Sequence, residues 1–116
     1  MKVIIVLMFL LCVFTNSHGQ QRIAPETAYQ MMQTSNDFIL LDVRTVGEFQ
    51  ARHIRGAILI PVNELENRAE SELPDKNALI FVYCQAGRRS ANAASILAGK
   101  GYTRVFDIGG IADWPF

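Results

Sequence analysis

Apolar residues in this chain come in two rhythms. FILLDV (38–43), GAILIP (56–61) and ALIFVYC (78–84) are unbroken runs too short for helices, and they predict buried strands, the last of them in mid-sheet. YTRVFDI (102–108) predicts a final strand. Elsewhere the apolar positions recur at helical spacing. APETAYQMMQ (24–33) opens with Pro25 at a first helical position and carries Tyr29 and Met32 on one face. VNELENRAESEL (62–73) sets Val62, Leu65, Ala69 and Leu73 on one side and its acids on the other. SANAASILAGKG (90–101) is made of good helix formers, with Ser90 as N-cap and Gly99 and Gly101 at its end. In TVGEF (45–49), Thr45 and Glu48 stand at capping-box spacing and start a short helix. PDKN (74–77) reads as a turn, and Gly109–Gly110 turn the chain into a last short segment holding Trp114. Strands alternating with helices imply one α/β domain, a central parallel sheet with helices on both faces. Ligands of such sheets bind beyond the carboxyl ends of the strands. Cys84 is the last residue of the strand placed centrally.

Half of the 116 residues are hydrophobic and the mean hydropathy is +0.16, high for so short a soluble chain. The excess sits in MKVIIVLMFLLCVFTNSHGQQ, where Lys2 precedes twelve unbroken apolar residues, Val3 to Phe14. Spanning a bilayer takes about 20. The layout is that of a secretory signal peptide over residues 1–19, with Ser17 and Gly19 as the small residues of the cleavage site. That leaves a domain over 20–116, a periplasmic or secreted location and no stable membrane anchor. An uncleaved anchor is the alternative. Cys12 as a lipid-attachment site is disfavoured by bulky Leu11 before it.

Removing residues 1–19 takes Lys2 from 11 basic residues and none from 11 acidic ones, so the formal charge falls from 0 to −1. Nucleic-acid binding would call for a basic excess. The cysteines drop from two to one, which excludes a disulfide framework. One cysteine and one histidine then remain, short of a zinc ligand set, so neither metal nor cofactor is expected.

The remaining thiol is set for chemistry. VYCQAGRRS (82–90) ends an apolar strand on Cys84 and follows it at once with Gln85, Ala86, Gly87, Arg88 and Arg89. A loop of this length can turn its backbone N–H groups inward to hold an anion, and the following helix adds positive potential. Gly87 opens backbone angles closed to other residues, and the arginines add fixed charge. A thiol there should ionise more easily than an ordinary one. An inert cysteine capping a core strand would leave this neighbourhood unexplained.

LLDVRTVGEFQARHIRGAILIP (40–61), VYCQAGRRS (82–90) and GYTRVFDIGGIADW (101–114), in that order, resemble the rhodanese-like sulfurtransferases. The chain is most similar to the periplasmic single-domain rhodaneses of the phage-shock-protein E type. The resemblance implies a rhodanese-like domain in which Cys84 accepts a sulfur atom as a persulfide, cradled by the loop from Gln85 to Arg89. It also implies a structural role for Asp42 and Arg44, in a network with Glu48 that holds the fold. His53 is not needed as a base for a thiolate the loop already stabilises. Two departures stand out. Arg52 takes the place of the glycine before the family's histidine, a local change in a loop, and the last helix should be short or absent.

The function expected is transfer of sulfane sulfur from thiosulfate through Cys84 to cyanide or a thiol, by a monomer whose partners are these small molecules. A non-catalytic binding module or a redox or sulfur-carrier module is the alternative, and the loop with its cysteine argues against the first. Cysteine phosphatases and arsenate reductases place five residues between cysteine and arginine. Here that arginine would fall on position 90, which is Ser90.

Overall fold

The computed structural model describes residues 21–116. The segment read as a signal peptide lies outside them. Five strands form one sheet in the order β1-β5-β4-β2-β3, with every neighbouring pair parallel. They are β1 (Gln21–Arg22), β2 (Ile39–Asp42), β3 (Ile58–Leu59), β4 (Ile80–Cys84) and β5 (Val105–Gly110). The helices are α1 (Pro25–Thr34), α2 (Val46–Ala51), α3 (Val62–Glu72) and α4 (Arg88–Gly99), and a 3₁₀ turn, Ile111–Asp113, follows β5.

Strand β4 is buried along its whole length, which is why its sequence is continuously apolar rather than alternating. Its side chains still divide between the two faces. Ile80, Val82 and Cys84 pack with Leu65, Ala69, Ala93, Ala94 and Leu97 of α3 and α4. Phe81 and Tyr83 pack on the other face with Ala28 of α1, Ile111 and Trp114. The thiol thus faces the α3–α4 layer, at the carboxyl end of the central strand.

The helices begin for different reasons. Pro25 is the first residue of α1 and no side chain caps it. Inward of α1 is Ala28, with Met31 and Met32 partly buried, whereas Tyr29 is 37% exposed and stacks on Phe116 with ring centroids 4.0 Å apart. The capping box of α2 is complete: Thr45 Oγ1 accepts from Glu48 N at 3.2 Å, and Glu48 Oε1 accepts from Thr45 N at 3.1 Å. On α3, Arg68 donates to Glu72 at 2.5 Å and to Glu64 at 3.2 Å, while Leu65 and Ala69 turn inward.

The structure corrects the expectations at several points. The N-cap of α4 is Gly87, at φ +100°, so the helix starts at Arg88 and Ser90 lies inside its first turn. Gly109 and Gly110 are not a turn but the end of β5, paired with Tyr83 and Cys84. A bulge between Val82 and Tyr83 in that pairing leaves Ile108 as the extra residue. The run 56–61 contributes only Ile58–Leu59 to the sheet, because Gly56, at φ +87°, is still turning. Strand β1 has no counterpart in the sequence pattern.

Candidate active site

Around Cys84 the chain closes from the strand end straight into a helix. Only 1% of the residue is exposed. Its Sγ accepts from Gly87 N at 3.0 Å, and Ser90 Oγ lies 3.5 Å away. Burial pushes the thiol up, but the Ser90 hydroxyl and the backbone N–H groups of Ser90, Gly87 and Ala86 more than offset it. The net direction is below the ordinary thiol value. The positive φ of Gly87 turns these groups inward at the N-terminus of α4, where the helix dipole favours an anion. Helix start and thiol nest are the same piece of backbone.

The two loop arginines differ in their partners. Arg89 is paired with Glu48, donating from Nη1 at 2.6 Å and from Nη2 at 2.9 Å. That charge-assisted pair holds the Glu48 carboxyl down to about 2. Glu48 is therefore not in a network with Asp42 and Arg44. It joins the start of α2 to the start of α4. Arg88 is exposed and has no ion-pair partner among the described residues.

Asp42 and Arg44 form a buried pair, 0% and 3% exposed. Asp42 accepts from Arg44 N at 2.9 Å, from Nε at 3.0 Å and from Nη2 at 2.7 Å. The guanidinium goes on to Gln85 Oε1 at 3.1 Å and the Arg52 carbonyl at 2.5 Å. It thereby ties the first residue of the thiol loop to the α2–β3 connection. Removing one partner of such a pair strands the other charge, at roughly 3–5 kcal/mol. His53 Nδ1 lies 2.8 Å from the Phe49 carbonyl, and its exposed ring stacks on Phe49 at 3.9 Å. Those bonds are local to α2. Tyr83, on the opposite sheet face, accepts from Ile54 N at 3.1 Å and fixes the same connection from below.

Three residues that sequence reasoning missed hold the far side of the loop. Arg22 Nη2 donates to the Gly87 carbonyl at 2.7 Å and pairs with Asp107 Oδ2 at 2.7 Å. Asp107 Oδ1 accepts from Gly109 N at 2.9 Å. At Gly110 a Cβ would lie 2.3 Å from the Gln85 carbonyl oxygen and 2.8 Å from Ala86 Cα, so only glycine lets β5 pass under the loop. The adjacent glycines of GYTRVFDIGG were the available signal for close backbone approach.

Among the described residues, two clefts lie beside the loop. One, of about 240 Å³, is lined by Val43, Arg44, Thr45, Pro61, Val62 and Arg89 together with Asn63. It opens on the sheet face that carries Cys84, since Val43 and Val62 pack in the same cluster as the cysteine. The other, of about 280 Å³, lies on the β1–β5 side and includes Arg22, Ala86, Gly110 and Asp113.

A parallel five-stranded sheet that ends its central strand on one cysteine, in a loop whose N–H groups face the sulfur, is the arrangement of a rhodanese-type domain, and the rhodanese-like domain family matches residues 24–115. The chain belongs to that family. It is 45% identical over 73 residues to thiosulfate sulfurtransferase PspE of Escherichia coli, covering 63% of this chain and 70% of that protein. It is 37% identical over 95 residues to thiosulfate sulfurtransferase GlpE of Haemophilus influenzae, covering 81% and 87%. Among solved structures it superimposes on a rhodanese with anions from E. coli with a TM-score of 0.62 and 44% identity, over 65% of this chain and 88% of that one. The rhodanese-like domain of an Anabaena protein aligns with a TM-score of 0.73 at 29% identity, over 82% and 72%.

Proposed function

We propose that this protein is a thiosulfate sulfurtransferase whose nucleophile is Cys84. The observation that carries the proposal is the sulfur itself, 3.0 Å from an inward N–H and ringed by donors that favour its ionised form. The thiolate attacks the outer sulfur of thiosulfate. A new S–S bond forms at Cys84, the S–S bond of thiosulfate breaks, and sulfite leaves with the electron pair. Cyanide or a thiol then attacks the outer persulfide sulfur and releases the Cys84 thiolate. No oxidant or reductant enters, and the two half-reactions imply ping-pong kinetics.

Near-complete burial of Cys84 favours a donor that reaches it with one atom, as a terminal sulfur does. Arg89 lines the cleft on the cysteine's side and offers its charge to the sulfonate end while Glu48 holds it in place. A phosphatase loop would need its arginine at position 90, and Ser90 there is fully buried against the sulfur. The two relatives named thiosulfate sulfurtransferase support the same chemistry. The apolar run Val3–Phe14 supports an exported protein acting outside the cytoplasm.

Cys84→Ser tests the proposal. A serine hydroxyl does not ionise at neutral pH and forms no persulfide, so thiosulfate-to-cyanide transfer should vanish while the circular dichroism spectrum stays unchanged. Transfer retained by the folded variant would refute it.

A further inference from the structure

The Ser90 hydroxyl has one proton: it donates to Gly87 O at 3.1 Å or to Gly109 O at 3.4 Å and accepts from the Cys84 thiol at 3.5 Å, and once Cys84 is ionised the sulfur becomes a third acceptor for that proton. Only a bond to sulfur helps the thiolate, and the nearest competitor is the Gly87 carbonyl. That oxygen already receives Arg22 Nη2 at 2.7 Å and, more weakly, the helical Ala91 N at 3.3 Å. A carbonyl oxygen has two lone pairs, and a charged donor at 2.7 Å takes one of them strongly.

We propose that Arg22 is a positioning residue for the nucleophile: by occupying the Gly87 carbonyl it leaves the Ser90 proton to the Cys84 sulfur. The inference rests on Cys84 being the reacting group, as proposed above. Arg22 makes no hydrogen bond to the sulfur and does not line the cleft that Arg89 lines. Asp107, 5% exposed, holds the guanidinium from β5 and at the same time caps Gly109 N. The Gly109 carbonyl, the remaining competitor, is thus fixed on the bulge at the longer distance. Through Arg22 and Asp107 the edge pairing of β1 with β5 reaches the thiol. An arginine that merely stapled this edge would leave the ionisation of Cys84 unchanged when removed.

The test is a cycle of Arg22→Ala, Ser90→Ala and the double variant, read by the rate of iodoacetamide alkylation of Cys84 against pH. Arg22→Ala should move the profile to higher pH and slow alkylation at neutral pH about tenfold, the size of one lost hydrogen bond to the thiolate. Ser90→Ala should do the same, and the double variant should be no slower than Ser90→Ala alone. An unchanged profile for Arg22→Ala would overturn the assignment. So would an Arg22 effect that persists in full without Ser90, since that would be charge acting directly on the sulfur. Should Arg22→Ala not fold, Arg22→Met keeps the aliphatic stem along the edge and reads the same cycle. Alkylation does not depend on sulfur transfer. A wild-type chain that alkylates as a thiolate yet takes no sulfur from thiosulfate would sink the sulfurtransferase proposal and leave Arg22 standing.

Discussion

The loop around Cys84 is held on its two sides by different means. On the β2–α2 side long side chains do the holding: Arg44 reaches Gln85, and Arg89 reaches across to Glu48. On the β1–β5 side backbone does most of it. Gly110 passes within a bond's length of clashing with Gln85 and Ala86, Gly109 is tied to Asp107, and the one long side chain, Arg22, ends on a carbonyl. The first side carries the charge that the proposed function offers to a substrate and leaves it about a third exposed, at 35% for Arg89. The second carries none to the cleft on the cysteine's face and sets where the sulfur and its donors sit. Side-chain contacts can be weakened by degrees; a backbone contact as tight as that at Gly110 has no slack.

Breaking the second side should therefore cost most. Gly110→Ala places a methyl 2.3 Å from the Gln85 carbonyl oxygen, and the backbone there cannot yield without moving the loop. We expect kcat/KM for sulfur transfer to fall at least a hundredfold, a barrier increase of about 3 kcal/mol. Steady-state assay of the folded variant checks this, and near-normal activity would mean the close approach at Gly110 matters little.

The first side should respond more gently and in KM. Arg89→Ala removes a charge-assisted contact worth about 1.5–3 kcal/mol, so KM for thiosulfate should rise roughly ten- to a hundredfold with kcat much less affected. Arg88→Ala, at an exposed position, should cost less and depend more on salt. If Arg88 proved the more damaging, the roles of the two arginines would be exchanged.

The smallest effect is one of stability. The carboxyl of Glu48 is held down to about 2 from 4.5, chiefly by Arg89. A carboxylate with a depressed folded value stabilises fully above its unfolded value and loses that contribution as pH falls through the folded one. Glu48→Gln should lower stability by about 1 kcal/mol at neutral pH, as expected for a partly exposed pair. The gap to wild type should stay constant down to about 4.5 and close towards about 2. Urea unfolding at a series of pH values checks the sign; a gap that widened on acidification would contradict it.

The two sides also differ in how far the sequence disclosed them. The β2–α2 side was legible because its signals are local. Thr45 and Glu48 stand at the spacing of a capping box, Asp42 and Arg44 are two residues apart, and the apolar run to Cys84 announces a central strand. The role of Glu48 toward Arg89 was not, since that bond joins two helix starts far apart in sequence. On the β1–β5 side little was visible. A two-residue strand has no periodicity, and Arg22 meets Asp107 and Gly87 only once the chain's first and last strands pair. Gly109–Gly110 has the composition of a turn, and the demand for glycine comes from the loop lying over it. Ser90 has the chemistry of an N-cap, but Gly87 in its left-handed conformation starts the helix and leaves the serine hydroxyl beside the sulfur.

The central claim is that this loop exists to carry a sulfur atom on Cys84, and the intact mass of the purified protein after exposure to thiosulfate tests it most directly. The account predicts a gain of one sulfur, about 32 Da, that disappears on adding cyanide and never forms in Cys84→Ser. A wild-type mass that thiosulfate leaves unchanged, or a sulfur adduct that survives the loss of Cys84, would contradict it.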